Sequence, residues 1–224
     1  MTGNPKYLSQ GVVSRLLSRL EEQAGAELRL LVRLPLSTGM TTGELSHLRA
    51  SWFEPEDGIV SVPRHQPCHC TQCTRQAVVA DDDLDIEPED VDTVADDERP
   101  LGYWNPATDL RVRRVELIDT ATQDLLEEYL DHRDGMPHPA TIDSRMDRLS
   151  DEVSLGEPIT VSRLRHTCGL RLAAGGATVG QIVDHTGVTP QEAARYQEDA
   201  EGAEMGRALP MGDSIRDLRA SHQH

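Results

Sequence analysis

Residues 162–199 read SRLRHTCGLRLAAGGATVGQIVDHTGVTPQEAARYQED, and the spacing of their apolar positions predicts three successive helices, over 162–174, 178–185 and 190–199. Gly175-Gly176 is a natural stop for the first. The third carries a full start signal, with Thr189 as N-cap, Pro190 in the first turn and Glu192 in the capping-box position. Cys168 shares a helix face with Leu164 and Leu172 and reads as core. Tyr196, next to Ala193 and Ala194, has two readings: a half-buried core tyrosine with its hydroxyl satisfied, or a reactive group.

Working outward, helices are predicted over 121–133 and 143–153. The β-formers of Arg111–Ile118 read as a strand, paired in a hairpin with Tyr103-Trp104 across the turn-like Asn105-Pro106. Near the start, Leu8, Val12, Val13, Leu16, Leu17 and Leu20 make one helical stripe. Ala26–Leu34 is apolar almost all round and is expected to form a buried helix ending at Pro35. Thr41 or Thr42 then caps a short helix through Glu44 and Leu48, and Gly58–Val62 is a strand closed by Pro63. There is no internal repeat. The pattern predicts an α+β domain, mainly helical, with a small antiparallel sheet, and 224 residues suit one main domain.

The chain carries 39 acidic against 22 basic residues, a net charge of −17, and Lys6 is its single lysine. With one phenylalanine, this composition resembles proteins of extreme halophiles, kept in solution by hydrated carboxylates; an acidic mesophilic or partly disordered chain is the alternative. Such a charge opposes nucleic-acid binding in dilute buffer. At molar salt long-range repulsion is screened, and binding rests on close arginine hydrogen bonds and groove fit. No apolar run approaches the ~18 residues of a membrane span, and the polar start is not a signal peptide, so a cytoplasmic location without membrane contact is expected. Asp81–Glu98 holds 11 acidic residues and no basic one, the signature of a solvated loop or disordered insertion, with DNA mimicry as the alternative.

The segment His65-Gln66-Pro67-Cys68-His69-Cys70-Thr71-Gln72-Cys73 packs three cysteines and two histidines together. Cys68, Cys70 and Cys73 with His65 or His69 would make a tetrahedral zinc site. Free cytosolic thiols are the other reading, since the second cysteine pair of a zinc ribbon is missing.

Two boxes carry a family resemblance. Thr38-Gly39-Met40-Thr41-Thr42-Gly43-Glu44-Leu45 resembles the Thr-Gly-Met-Arg-x-x-Glu-Leu box of the tyrosine recombinase (phage integrase) family, and Ser162-Arg163-Leu164-Arg165-His166-Thr167 resembles its His-x-Leu-Arg-His-Thr box. Gly176-Ala177 and Tyr196 follow in the family's order, and the resemblance spans about residues 8–200. In that family a tyrosine attacks a DNA phosphodiester while two arginines and a histidine neutralise the phosphorane and a lysine protonates the leaving oxygen. The resemblance implies a catalytic set of Tyr196, Arg165 and His185, and DNA contacts from Arg165, His166, Arg111 and Arg163, with no cofactor for the chemistry. His185 lies three residues before Val188, which occupies the family's His/Trp position. Thr41 stands for the first arginine, Ser162 for the first histidine and Ala107 for the lysine, so the set is depleted.

The implied layout is an N-terminal helical extension over 1–27 in place of a full core-binding domain, then a catalytic domain over 28–200. Within it lie a zinc loop over 65–73 and the acidic insertion over 81–98, and a tail follows over 201–224. The expected partners are double-stranded DNA and another recombinase subunit. Three functions stay open: a DNA-binding accessory factor, a working recombinase, and a zinc-stabilised adaptor that binds a recombinase instead of DNA.

Overall fold

Ser9 accepts a hydrogen bond from the Val12 amide and so starts α1 (Gln10–Gln23), which buries Val12, Val13, Leu16 and Leu20. The structure, a computed structural model, describes residues 6–81, 86–95, 98–117, 119–133, 135–153 and 158–202. α2 (Ala26–Thr38) does not end at Pro35 as expected but continues one turn beyond it. A proline inside a helix costs about 3 kcal/mol. Burial of Leu36 and Thr38 offsets that cost, as does the bond from the Thr38 hydroxyl to the Leu34 carbonyl. The helix closes at Gly39, whose φ of +69° is left-handed and whose missing Cβ would stand 2.8 Å from Thr186 Cβ.

Thr41 caps α3 (Thr42–His47) in a capping box with Glu44. The chain then forms β1 (Phe53–Glu54) and β2 (Ile59–Val62), followed by β3 (Gln66–Cys68), α4 (Thr71–Ala80) and β4 (Gly102–Trp104). β5 (Arg113–Glu116) precedes five helices: α5 (Thr120–His132), α6 (Pro139–Val153), α7 (Val161–Ala174), α8 (Val179–Thr186) and α9 (Pro190–Gly202). Two compact units result, one of Met1–Val62 with Arg113–His224 and one of Pro63–Val112.

In the first unit an antiparallel sheet runs β1-β2-β5, with Val62 opposite Arg113 at its end. α7 is the central helix, packed between α2 and α9, and α8 lies against α9. Leu16, Leu30, Leu31, Leu34, Leu45, Leu126 and Tyr196 are wholly shielded from solvent. Thr178 and Gln181 form a second capping box at the start of α8.

The second unit pairs β3 with β4, Cys68 opposite Gly102, under α4. The expected hairpin of Tyr103-Trp104 with Arg111–Ile118 is therefore not formed: Tyr103-Trp104 pairs with Gln66-Pro67 and Arg113–Glu116 with Ile59–Val62, since strand partners are chosen across the chain and not by nearness in sequence. The described part of the acidic run is tied down. Val91 is fully buried in a 3₁₀ turn, Val91–Thr93, and Arg75 holds both the Pro88 carbonyl and Asp92.

Candidate DNA phosphate site

Thr160 accepts a hydrogen bond from the Arg163 amide and so starts α7, which places Arg165 and His166 in its second turn. Thr189 does the same for α9 through the Glu192 amide. α9 lies so close to α7 that a Cβ on Gly169 would stand 2.3 Å from Cε2 of Tyr196. The tyrosine ring thus occupies the space that Gly169 leaves empty. Gly169→Ala is expected to lower stability by about 1–3 kcal/mol through overpacking and to raise Tyr196 exposure. Urea unfolding at fixed KCl, with tyrosine accessibility to nitration, checks both; an unchanged midpoint counts against the packing.

Tyr196 is fully buried, and its hydroxyl lies 2.6 Å from His166 Nδ1. The Tyr7 ring meets it edge-on with centroids 6.1 Å apart, and the Lys6 ammonium sits 5.0 Å from its ring centroid. Burial pushes the phenol pKa well above its ordinary value, the Glu192 charge adds to that, and Arg165 opposes it. Glu192 is surrounded by cationic donors: its Oε1 lies 3.4 Å from Lys6 Nζ and 3.3 Å from His166 Nδ1, and its Oε2 lies 3.9 Å from Arg165. Burial pushes this carboxyl up, but the charges of Arg165, His166 and Lys6 outweigh burial and hold it below the usual range.

Arg165 and Tyr196 therefore share one neighbour, Glu192. Arg163 instead anchors the chain start, donating to the carbonyls of Pro158 and Tyr7 at 2.7 and 2.8 Å. His185 is buried with Nε2 at 2.6 Å from the Ser37 carbonyl, and desolvation lowers its pKa. Arg111 ends a 3₁₀ turn, Asp109–Arg111, of the second unit. The Thr41 hydroxyl is engaged with Glu44, while Ser162 and Ala107 are exposed.

Glu44 is joined to Arg113 at 2.6 Å, both side chains almost wholly buried, and Arg113 also donates to the His185 carbonyl. The alternation along β5, with Arg113 and Val115 turned inward, is the sequence signal for this pair. Lys6, Tyr7 and Glu192 are the site residues that sequence reasoning missed. No periodicity connects the first residues of a chain to a late helix.

In the second unit, Cys68, Cys70 and Cys73 bring three thiol sulfurs together, donors that suit a metal ion. The three sulfurs lie within 4.8 Å of one another, and the Cys70 amide donates to Cys68 Sγ at 3.3 Å. Gly102 permits this arrangement, since a Cβ there would stand 2.3 Å from the Cys73 carbonyl oxygen. The neighbouring Cys68 and Cys70 thiols, and then burial, raise the Cys73 pKa. His65 and His69, the expected fourth ligands, are not in the set; His65 meets the Tyr103 ring edge-on and His69 Nδ1 faces the Arg99 carbonyl. Cys168 is core, its thiol pushed up to about 12 by burial.

No family's sequence profile matches the chain, and no curated protein matches it. Solved structures do. XerA recombinase matches over 100% of this chain and 67% of its own, at 15% identity and a TM-score of 0.59. Tn1549 transposon integrase, in complex with a circular intermediate DNA, matches over 92% of this chain and 67% of its own, at 18% identity and a TM-score of 0.62.

The fold is that of the integrase catalytic domain.

XerH site-specific recombinase, bound to its palindromic difH substrate in a post-cleavage complex, matches over 88% of this chain and 51% of its own, at 14% identity and a TM-score of 0.55. The chain thus spans between about half and two thirds of the length of these recombinases. Among the described residues of this integrase fold, no helix is long and apolar enough to cross a membrane.

Proposed function

We propose that this chain is a haloarchaeal member of the tyrosine recombinase family that binds double-stranded DNA as an accessory or regulatory factor, alongside a catalytically complete recombinase subunit. The observation that carries this reading is Arg165. More than nine-tenths buried, it has a guanidinium Nε with no hydrogen-bond partner among the described residues. A buried donor left unmade is costly, and a DNA phosphate is the acceptor that such a fork matches. In sequence the strand-breaking set is depleted, with Thr41, Ser162 and Ala107 at positions that bear charge in the family it resembles. Arg165→Ala is expected to weaken DNA binding by about tenfold or more in molar KCl, as the loss of a close phosphate contact should. Fragments of the source genome, titrated against wild type and variant, check this; equal affinities would sink the reading.

We also propose that Cys68, Cys70 and Cys73 hold one structural zinc ion, as three thiolates with a fourth donor suit tetrahedral zinc. The bound cation would supply the charge that lets the crowded thiols ionise, so binding releases protons and weakens in acid. Gently purified protein is expected to contain one zinc per chain, and Cys70→Ser to lose affinity for it. Metal-free protein with three readily alkylated thiols is the contrary result.

A further inference from the structure

Beside Tyr196 the first unit holds an arrangement that the DNA-binding reading leaves unexplained. One carboxylate, Glu192, is shared by Lys6, His166 and Arg165. The closest Arg165 nitrogen is 3.9 Å away, beyond hydrogen-bond range, and Arg165 Nε has no hydrogen-bond partner among the described residues. A two-oxygen carboxylate on a short stem thus approaches two of the three groups closely and pairs with the third only at longer range. A phosphodiester group carries its non-bridging oxygens on a larger tetrahedral centre and is not tethered to α9, so it can approach the guanidinium closely.

The position of Lys6 is built by neighbouring contacts. Arg163 donates to the Tyr7 carbonyl at 2.8 Å, the Leu8 amide donates to Thr167 Oγ1 at 2.9 Å, and the Tyr7 hydroxyl donates to Asp199 at 2.5 Å. These bonds lay the chain start along α7 and α9 and hold the chain's single lysine over the tyrosine ring.

We propose that Lys6, Arg165 and His166 form a phosphodiester-binding site, and that the Glu192 carboxylate stands in it as an internal competitor retained by the chain start. The proposal rests on the DNA-binding reading for its ligand, and it adds a gate. A phosphate enters only as Glu192 leaves. Glu192 and Tyr196 lie four residues apart on one face of α9, so the motion that withdraws the carboxylate also loosens the buried tyrosine.

The test uses the full chain in molar KCl, with wild type, Glu192→Gln, Lys6→Ala and the double variant. Each is titrated with a DNA duplex pool and, separately, with inorganic phosphate by calorimetry. Glu192→Gln is expected to bind DNA about tenfold more tightly, since removing a like charge from the site relieves repulsion that salt only partly screens. Adding Lys6→Ala to it should cancel most of that gain, and phosphate should follow the same order. Glu192→Asp, which draws the carboxylate back from the three cationic groups, should shift affinity in the same direction by less and serves if Glu192→Gln melts early. Unchanged or weaker DNA binding in the folded Glu192 variants overturns the proposal. If no protein binds DNA but phosphate binds Glu192→Gln more tightly than wild type, the site stands and the DNA reading falls. If phosphate too shows no difference, the site falls with it.

Discussion

Glu44→Ala is expected to lower folding stability by about 3–5 kcal/mol, the usual cost of removing one partner of a buried ion pair. Two losses coincide in that substitution. Glu44 Oε1 lies 2.6 Å from Arg113, and its Oε2 accepts from the Thr41 amide at 2.7 Å and the Thr41 hydroxyl at 3.1 Å. The variant leaves a guanidinium that is 3% exposed without its carboxylate and removes the Glu44 half of the α3 capping box at once. Replacing both partners by leucine should restore part of the loss, because a buried ion pair gains little over apolar packing. Urea melts at constant molar KCl measure both, urea being uncharged. A loss under about 1 kcal/mol for Glu44→Ala would mean that water reaches the pair and screens it.

The second large effect concerns chemistry. Incubated with a nicked suicide duplex in molar KCl, the chain is expected to form no detectable Tyr196–DNA linkage. One missing preorganised charge contact slows such reactions by about 10²–10³. Three positions lack theirs, and although such losses do not simply add, the remainder is far below an enzyme's rate. Thr41 cannot replace an arginine fork, since its hydroxyl already serves the α3 cap. The nucleophile is handicapped as well, with a buried phenol whose pKa is raised by desolvation and by Glu192. Near-stoichiometric adduct in wild type, absent in Tyr196→Phe, would overturn this reading and make the chain a working recombinase.

The fold was readable from sequence where local signals agree. In 162–199, caps, glycine stops and apolar spacing coincide, and α7, α8 and α9 begin and end within a few residues of the expected places. Pro35 misled because a local rule met a non-local gain, the burial of Leu36 and Thr38. Tyr103-Trp104 misled because strand partners are chosen across the chain, and alternation does not say which strand answers which. The site divides the same way. Arg165 and Tyr196 were legible as positions on the first and third of the three helices expected over 162–199. The convergence of Lys6, His166 and Glu192 depends on how the first residues lie along α7 and α9, which no spacing encodes.

The ladder between β2 and β5 has a consequence for how this chain could be rebuilt. Val62 and Arg113 are direct partners, so the polypeptide leaves the first unit and returns to it at adjacent rungs. Partners on neighbouring antiparallel strands lie only about 4.5–5.5 Å apart, a gap that a two-residue turn closes. The second unit is therefore a graft on a hairpin tip: it can be trimmed, exchanged or lost without rethreading a single strand of its host. Acidic loop and cysteine cluster are free to diverge as cargo, while the arginine pocket of the host keeps its own geometry.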